Sequence, residues 1–442
     1  MKSLFKISVS LVVLYATCIT SFASATSNRT KVNIIPLGSY ASSRIVTTSN
    51  ADSSMADLSV NLKAILFDEI QPAVQILHEE LRPLSVKYKI VETKNDAGWS
   101  DYIREAHQLA KASEAEWQPL VDRNPLIPVS LEEIDAAYKR VTRSLSTTEK
   151  HKSNPRFFLV LGVDALKLTQ SPAAENAVIQ AASQGNFLES SSSDYMPYTD
   201  YIYDQTQGPR VSLASLAALI VRDYCMRSTP TDKTPKQPLL EDNLASFKLE
   251  SGAVLENGYL KPALLNDHDQ ETFATRLETA GPGDLRILAQ PGYSEDGKNI
   301  LQVLNFAPAY QGFHPPASGS AGHRICKFLV PPQYRATAQL AVMKAVKTGR
   351  RIPLHLTLIG QGAFKNPSDV MKKALKDVYD TVQGYDVDVY IHVFSKSGLD
   401  KLQPNLPSEI GTLTVSSNKD FDMFAPGKPF DPYIFYTMSS SF

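Results

Sequence analysis

The chain reads as an α/β protein: a three-layer α/β/α sandwich around a mainly parallel, mixed sheet, with an N-terminal α/β extension. Three observations predict this. The short apolar runs FFLVLGV (157–163) and AVIQAAS (177–183) have the composition of strands covered on both faces. The stretch from Val211 to Tyr224 is almost wholly apolar, as a buried helix is, and Pro209 suits its start. The strand IPLHLTLIG, a glycine turn, a helix opened by Pro367 and the strand DVDVYIHVF (386–394) follow in βαβ order, which calls for a parallel pair.

In chain order, residues 1–25 have the layout of a secretory signal. Lys2 and Lys6 precede an apolar stretch around Leu11 to Tyr15, and Ala23-Ser24-Ala25 offers small residues to a signal peptidase. The alternative is a retained anchor, but the apolar run is much shorter than the ~20 residues a spanning helix needs. Residues 26–150 form the extension. It opens with VNIIPLG and a polar loop through Ser54, and Leu66, Ile70, Val74, Leu77 and Leu81 then line one face of a helix. VKYKIV (86–91) reads as a strand, and helices are expected over 99–123 and 130–146, the second with Ser130 and Glu133 at capping-box spacing.

The main domain spans 151–400. Beyond the runs already named, it predicts an exposed Pro/Thr/Lys insertion at 227–243, a hairpin near 247–261 and strands at 284–290 and 300–309. A Gly/Pro/Ser/His loop over 311–323 and a helix over 332–347 follow. In the helix after Pro367, Met371, Leu375, Val378 and Val382 share one face, so it lies on a core. Residues 401–442 are polar and Pro-rich and read as a tail.

With 442 residues, 43% hydrophobic and 21% charged, disorder and collagen-like repeats are excluded. Forty-five Lys and Arg balance 46 Asp and Glu, so no global field draws the chain to nucleic acid or anionic lipid. Any polyanion must be met locally. No segment after the signal is apolar enough to span a bilayer. Cys18 leaves with the signal, and Cys225 and Cys326 can pair only if the fold brings them together. Asn28-Arg29-Thr30 fits a glycosylation acceptor, which matters only in a eukaryotic secretory pathway.

Two clusters carry candidate chemistry. In the turn Gly360-Gln361-Gly362-Ala363-Phe364-Lys365-Asn366, glycines after a buried strand and before a helix let backbone N–H groups approach a phosphate. The same turn also suits a tight connection with glycine for geometry alone. It lacks both the P-loop ending and the GxGxxG fingerprint. The second cluster is Gln184-Gly185-Asn186-Phe187-Leu188-Glu189 after the strand AVIQAAS, with Asp204 to Pro209 at the mouth of the buried helix. Asn186, Asp204 and Gln207 suit hydrogen bonds to ribose hydroxyls or a base at the usual ligand position of open α/β sheets. They suit helix caps and turns equally, and Thr206 fits an N-cap.

The histidines are weaker leads. His78 and His107 fall on expected helices and His355 and His392 in strands, so each reads as a packed or hydrogen-bonded residue. His314 and His323 flank a loop, and Asp267-His268-Asp269 has the groups to touch a cation. None has zinc-site spacing, and no metal is expected. Gly319-Ser320-Ala321-Gly322 lacks the nucleophile-elbow pattern and reads as a flexible loop.

Together the clusters resemble the macro-domain superfamily, in its poly(ADP-ribose) glycohydrolase-like branch. LTLIGQGAFKNPSDVMKKAL (356–375) is similar to the Gly-x-Gly-x-Phe-x-Asn-Pro phosphate loop and following helix of that branch, and IQAASQGNFLE with YDQTQGP to its ligand-side strand and loop. The resemblance covers about 156–400, and the first motif is the specific one. It implies a three-layer fold holding ADP-ribose with no further cofactor, and Gly360, Gly362, Ala363 and Phe364 around the pyrophosphate and distal ribose. Gly185, Asn186, Gln207 and Asn366 complete the implied ligand set. Hydrolytic members carry a run of glycines and paired glutamates, whereas a single Gly185 and a single Glu189 stand here. Glu189 or Asp204 is then the nearest carboxylate for a general acid or water-orienting base.

The expectation is therefore an exported protein, secreted or periplasmic, that binds ADP-ribose or an ADP-ribosylated macromolecule and acts on the linkage only if one of those carboxylates serves. Nucleic acid, and membrane after signal cleavage, are not expected partners. The alternative is a non-catalytic secreted interaction protein on the same scaffold, with ligand binding lost.

Overall fold

The structure, a computed structural model, describes residues 60–145, 155–226, 255–393 and 411–414 apart from short interruptions. The expected signal peptide, the acceptor at Asn28, the strand VNIIPLG and the insertion at 227–243 lie outside the described residues. Within them the helices are α1 (Val60–Leu66), α2 (Pro72–Lys87), α3 (Asp96–Ala112), α4 (Glu114–Arg123), α5 (Leu131–Arg143), α6 (Ala165–Thr169), α7 (Gln207–Ser212), α8 (Leu216–Met226), α9 (Asp267–Ala280), α10 (Ala321–Thr348) and α11 (Ser368–Val382). The strands are β1 (Val129–Ser130), β2 (Arg156–Leu161), β3 (Val178–Ser183), β4 (Leu255–Glu256), β5 (Tyr259–Leu260), β6 (Arg286–Tyr293), β7 (Asn299–Phe306), β8 (Ile352–Thr357), β9 (Val387–Val393) and β10 (Gly411–Thr414).

Eight strands form one mixed sheet in the order β1-β6-β7-β3-β8-β9-β2-β10, and β4 and β5 make a separate hairpin. From β7 to β10 every neighbouring pair is parallel. β6 runs antiparallel to β7, and β1 antiparallel to β6. The alternation of side chains along the strands divides the apolar residues between two cores. Val178, Leu301 and Val303 join one cluster with α5, α9, α10 and α11, while Ile179, Ala181, Ile300 and Leu304 join the other with α2, α3, α4 and α8. Helices thus cover both faces of a mixed sheet, as the apolar runs require. The N-terminal helices contribute to both cores, and β1 extends the sheet at one edge.

Four local expectations are corrected. The stripe from Leu66 to Leu81 is two helices, because Pro72 opens α2. Leu66 packs in the first core, whereas Val74, Leu77 and Leu81 pack in the second. VKYKIV is not a strand: α2 runs to Lys87, and the helix ends with Lys89 in the left-handed region at φ 49°. There the Lys89 N–H donates to the Val86 carbonyl at 3.1 Å and the Ile90 N–H to Ser85 at 2.9 Å. This is a Schellman ending with fully buried Ile90 as its apolar anchor. The single helix expected over 99–123 breaks at Ser113 into α3 and α4.

The fourth correction concerns the 311–323 loop. Ser320 accepts the His323 N–H and caps α10, which begins at Ala321 and carries Pro331 and Pro332 within it. A proline pair reads as a helix start, but packing along most of the helix overrides it. Just beyond the prolines the Gln333 amide ties the helix to β7, accepting the Phe306 N–H and donating to the Phe306 and Leu329 carbonyls. After residue 400, expected as a tail, β10 pairs in parallel with Phe158–Leu161 of β2. Cys225 and Cys326 form no disulfide and are buried in different cores, so the sheet separates them. Among the described residues no helix is long and apolar enough to cross a membrane.

The turn between β6 and β7 carries a buried carboxylate. Glu295 accepts the Tyr102 hydroxyl, and burial pushes its acid up to about 7 from an ordinary 4.5. A carboxyl raised on folding binds protons more tightly in the native state, so its contribution is fullest below the unfolded value and is lost as pH rises toward 7. Urea titrations from pH 5 to 8 should show Glu295→Gln gaining on the parent by up to about 3 kcal/mol across that window. A constant difference across the range would refute this.

Candidate functional site

The C-terminal ends of β7, β3 and β8 lie side by side in the middle of the sheet. β3 stays paired with β7 as far as Ser183↔Phe306, but with β8 only at Val178↔Leu354 and Ile179↔His355. Beyond that point the Gln180 Oε1 accepts the Thr357 N–H at 3.1 Å, a side chain bridging strands that no longer pair. The chain leaving β3 crosses to α7 and α8 on one face, while those leaving β7 and β8 cross to α10 and α11 on the other. Strands that part where the connections change sides make the usual ligand crevice of an open α/β sheet.

On the β8 side, Tyr334 holds the strand end, its hydroxyl accepting the Ile359 N–H at 2.9 Å and donating to the Thr357 carbonyl. Gly360 turns the chain at φ 80°, and a Cβ there would lie 2.8 Å from the Asn366 side chain. Asn366 is the post of the loop. Its N–H donates to the Gly360 carbonyl at 2.9 Å and its amide to Pro308 at 2.7 Å. The Phe364 carbonyl accepts the Tyr310 N–H at 3.1 Å. Gly362 and Ala363 are exposed, and a Cβ on Gly362 would meet nothing within 4 Å. Among the described residues the N–H groups of Gly362, Ala363 and Phe364 donate to no protein acceptor, and α11 begins four residues after Phe364.

The β3 side is closed on itself. The Gln184 N–H donates to the Leu188 carbonyl at 2.8 Å, Phe187 sits at φ 60°, and Asn186 Oδ1 accepts the Leu188 N–H at 3.1 Å. Phe187 and Tyr201 are fully buried in the second core. Gly185 donates to the Gly258 carbonyl at 2.9 Å, and the Asn186 amide packs so closely on Gly258 that a Cβ there would lie 2.5 Å away. Gly258 turns the β4–β5 hairpin at φ 77°, and the neighbouring Tyr259 meets Phe364 edge-on at 5.4 Å between ring centres. The hairpin therefore joins the two candidate loops at one end of the sheet. Its signal was the Asn257-Gly258 dipeptide, a strong hairpin turn.

The two nominated carboxylates have different surroundings. Glu189 is buried, its N–H donates to the Tyr201 hydroxyl at 3.0 Å, and both its oxygens accept from the Arg222 Nη2 at 3.1 and 3.0 Å. Burial pushes its carboxyl up to about 7 although the Arg222 charge pulls it down. Asp204 is half-buried and accepts the Thr206 N–H at 2.7 Å, a turn contact. Gln207 is the half-buried first residue of α7, and Thr206 before it makes no side-chain cap. The next residue, Gly208, lies against the Ala182 carbonyl, which keeps α7 at the end of β3.

Sequence reasoning passed over Arg222, whose signal was a lone cation in an apolar helix. It also passed over Gln290 and Gln302, amides within apolar strands. Both reach the Arg222 Nη1, at 3.4 and 3.5 Å. The histidines hold structural contacts: His355 Nδ1 and His392 Nε2 are 3.1 Å apart in the interior, and His107 meets the Tyr198 hydroxyl at 2.6 Å. His323 lies 2.8 Å from Asp369. Among the described residues no three metal-binding side chains gather. No family model matches this chain, and no curated protein matches its sequence.

Two outcomes follow for stability. Arg222→Met leaves Glu189 buried without its partner and should cost about 3–5 kcal/mol in chemical denaturation, with the double change Arg222→Met and Glu189→Gln costing less than the two singles together. Gly360→Ala should cost about 1–3 kcal/mol through its positive φ and the contact with Asn366, while Gly362→Ala should stay within about 0.5 kcal/mol. Equal losses at the two glycines would refute the assignment of Gly360 as the constrained turn.

Proposed function

We propose that this chain is an exported, macro-domain-like protein that binds ADP-ribose, free or on a modified macromolecule, through the loop 360–366, and that it does so without hydrolysing the linkage. The observation that carries the reading is that loop. Its backbone N–H groups at exposed Gly362 and Ala363 and half-buried Phe364 stand just before α11, beside strands that part at a change of sides. Oriented amides and a helix N-terminus favour a diphosphate. The Phe364 ring offers an apolar wall to a ribose, and Gln207 at the start of α7 offers an amide to its hydroxyls.

The catalytic half of the reading has less support. An acid for the glycosidic oxygen needs a free, reachable carboxyl. Both Glu189 oxygens accept from Arg222. Asp204 is the half-buried carboxylate that remains, and its Oδ1 accepts a backbone N–H. The second reading, an interaction protein with ligand binding lost, is favoured by one observation: the β4–β5 hairpin sits against both candidate loops.

Calorimetric titration with ADP-ribose tests the proposal. The parent should give saturable heat, and Gly362→Glu, which has room for its side chain, should bind roughly tenfold more weakly or worse, since a carboxylate there repels the diphosphate by about 1.4 kcal/mol or more. No heat from the parent or from any variant with the hairpin weakened would leave the second reading.

A further inference from the structure

Three places outside the loop 360–366 hold unassigned chemistry: the buried histidine pair of β8 and β9, the Glu295–Tyr102 contact, and the β4–β5 hairpin. The first two are closed within packed layers. The hairpin is not: Tyr259 is buried at the strand ends against Phe364, which lies at the margin of the first core. Its contacts are those a ligand would make. The Gly258 carbonyl accepts the Gly185 N–H at 2.9 Å, the Leu260 carbonyl accepts the Ala309 N–H at 2.8 Å, and the Tyr259 hydroxyl donates to the Ser190 carbonyl. These partners belong to the segments that follow β3 and β7, and Phe364, which Tyr259 meets edge-on, follows β8. Around the same strand ends Gln180 Nε2, Thr357 Oγ1 and Asn366 Oδ1 are buried without a hydrogen-bond partner.

We infer that the β4–β5 hairpin is a built-in plug: Tyr259 and the Gly258 and Leu260 carbonyls occupy the crevice in place of ligand, and a diphosphate-bearing ligand must displace them to bind. This rests on the proposed binding of ADP-ribose and adds its regulation. The physical basis is a competition. Displacing the plug breaks a few hydrogen bonds and one ring contact, and the affinity observed is the intrinsic affinity reduced by the fraction of molecules with the plug open. Loosening the plug raises that fraction and touches the loop 360–366 only at the Phe364 ring. Any process that holds the hairpin away, such as a partner that grips it, would switch binding on.

The test compares the full chain with Tyr259→Phe and Tyr259→Ala. Titration with ADP-ribose should show tighter binding in the order parent, Phe, Ala, with the Ala variant roughly tenfold tighter than the parent. Hydrogen exchange without ligand should show the Gly185 and Ala309 amides, bonded to the hairpin in the parent, exchanging faster in Tyr259→Ala. Binding by Tyr259→Ala alone, with a silent parent, also supports the plug. Equal or weaker binding by the variants, or unchanged exchange at those amides in Tyr259→Ala, would overturn it while leaving ADP-ribose binding intact, because Tyr259 would then be neutral or part of the bound site. Heat from none of the three would end both proposals. Melting curves of the variants close to the parent's establish that a loss of binding is not a loss of fold.

Discussion

A guanidinium with no exposure to water needs acceptors for its N–H groups, and Arg222 finds them for Nη1 and Nη2, though not for Nε, by tying together parts of the chain far apart in sequence. Its Nη2 reaches Glu189 beyond β3 and the Ser212 hydroxyl of α7, and its Nη1 reaches Gln290 of β6 and Gln302 of β7. The two glutamines stand directly opposite each other in the antiparallel pair. Their amide nitrogens continue outward to the carbonyls of Ala218 and Val211, at 2.9 Å in both cases. One buried cation thus sets α7 and α8 over the sheet and holds the turn after β3 in a single form.

That constraint decides what the crevice can do. The turn carrying Gly185 and Asn186 is pinned from below by Glu189, and from above by the hairpin that covers Asn186. The loop 360–366 is held at its ends, by Asn366 and by Tyr334, while its middle stays exposed. The same end of the sheet therefore combines a rigid, satisfied side with an open one. On the proposed reading the open side meets the anion, and the rest of the ligand needs the space the hairpin now fills. Hydrolysis would need a carboxyl that the rigid side already employs.

Two of the places where pattern reading failed share a cause. VKYKIV alternates polar and apolar residues as a strand does, yet the buried Ile90 serves as the anchor of a helix ending. Pro331 and Pro332 signal a helix start, yet the side-chain amide of Gln333 holds the strand end beside them and the helix passes through. In both cases packing against distant residues outweighs a local preference of about 1–3 kcal/mol. The single stripe from Leu66 to Leu81 failed differently, since spacing cannot say which face of a sheet each half will meet.

The sequence by itself determined most of the alternation of strand and helix from Arg156 to Val393, though not α9, and the glycine turn at Gly360 and the cap at Ser130, because apolar period, positive φ and side-chain capping are local properties of a few neighbouring residues. The Ser130 hydroxyl accepts the Glu133 N–H at 3.1 Å, as the spacing foretold. Strand order, the parting of β3 from β8, the burial of Glu189 against Arg222 and the arrival of Tyr259 between two loops were decided by tertiary structure alone. Each of these joins residues dozens of positions apart, and only the closing of the cores on both faces of the sheet selects which distant groups meet.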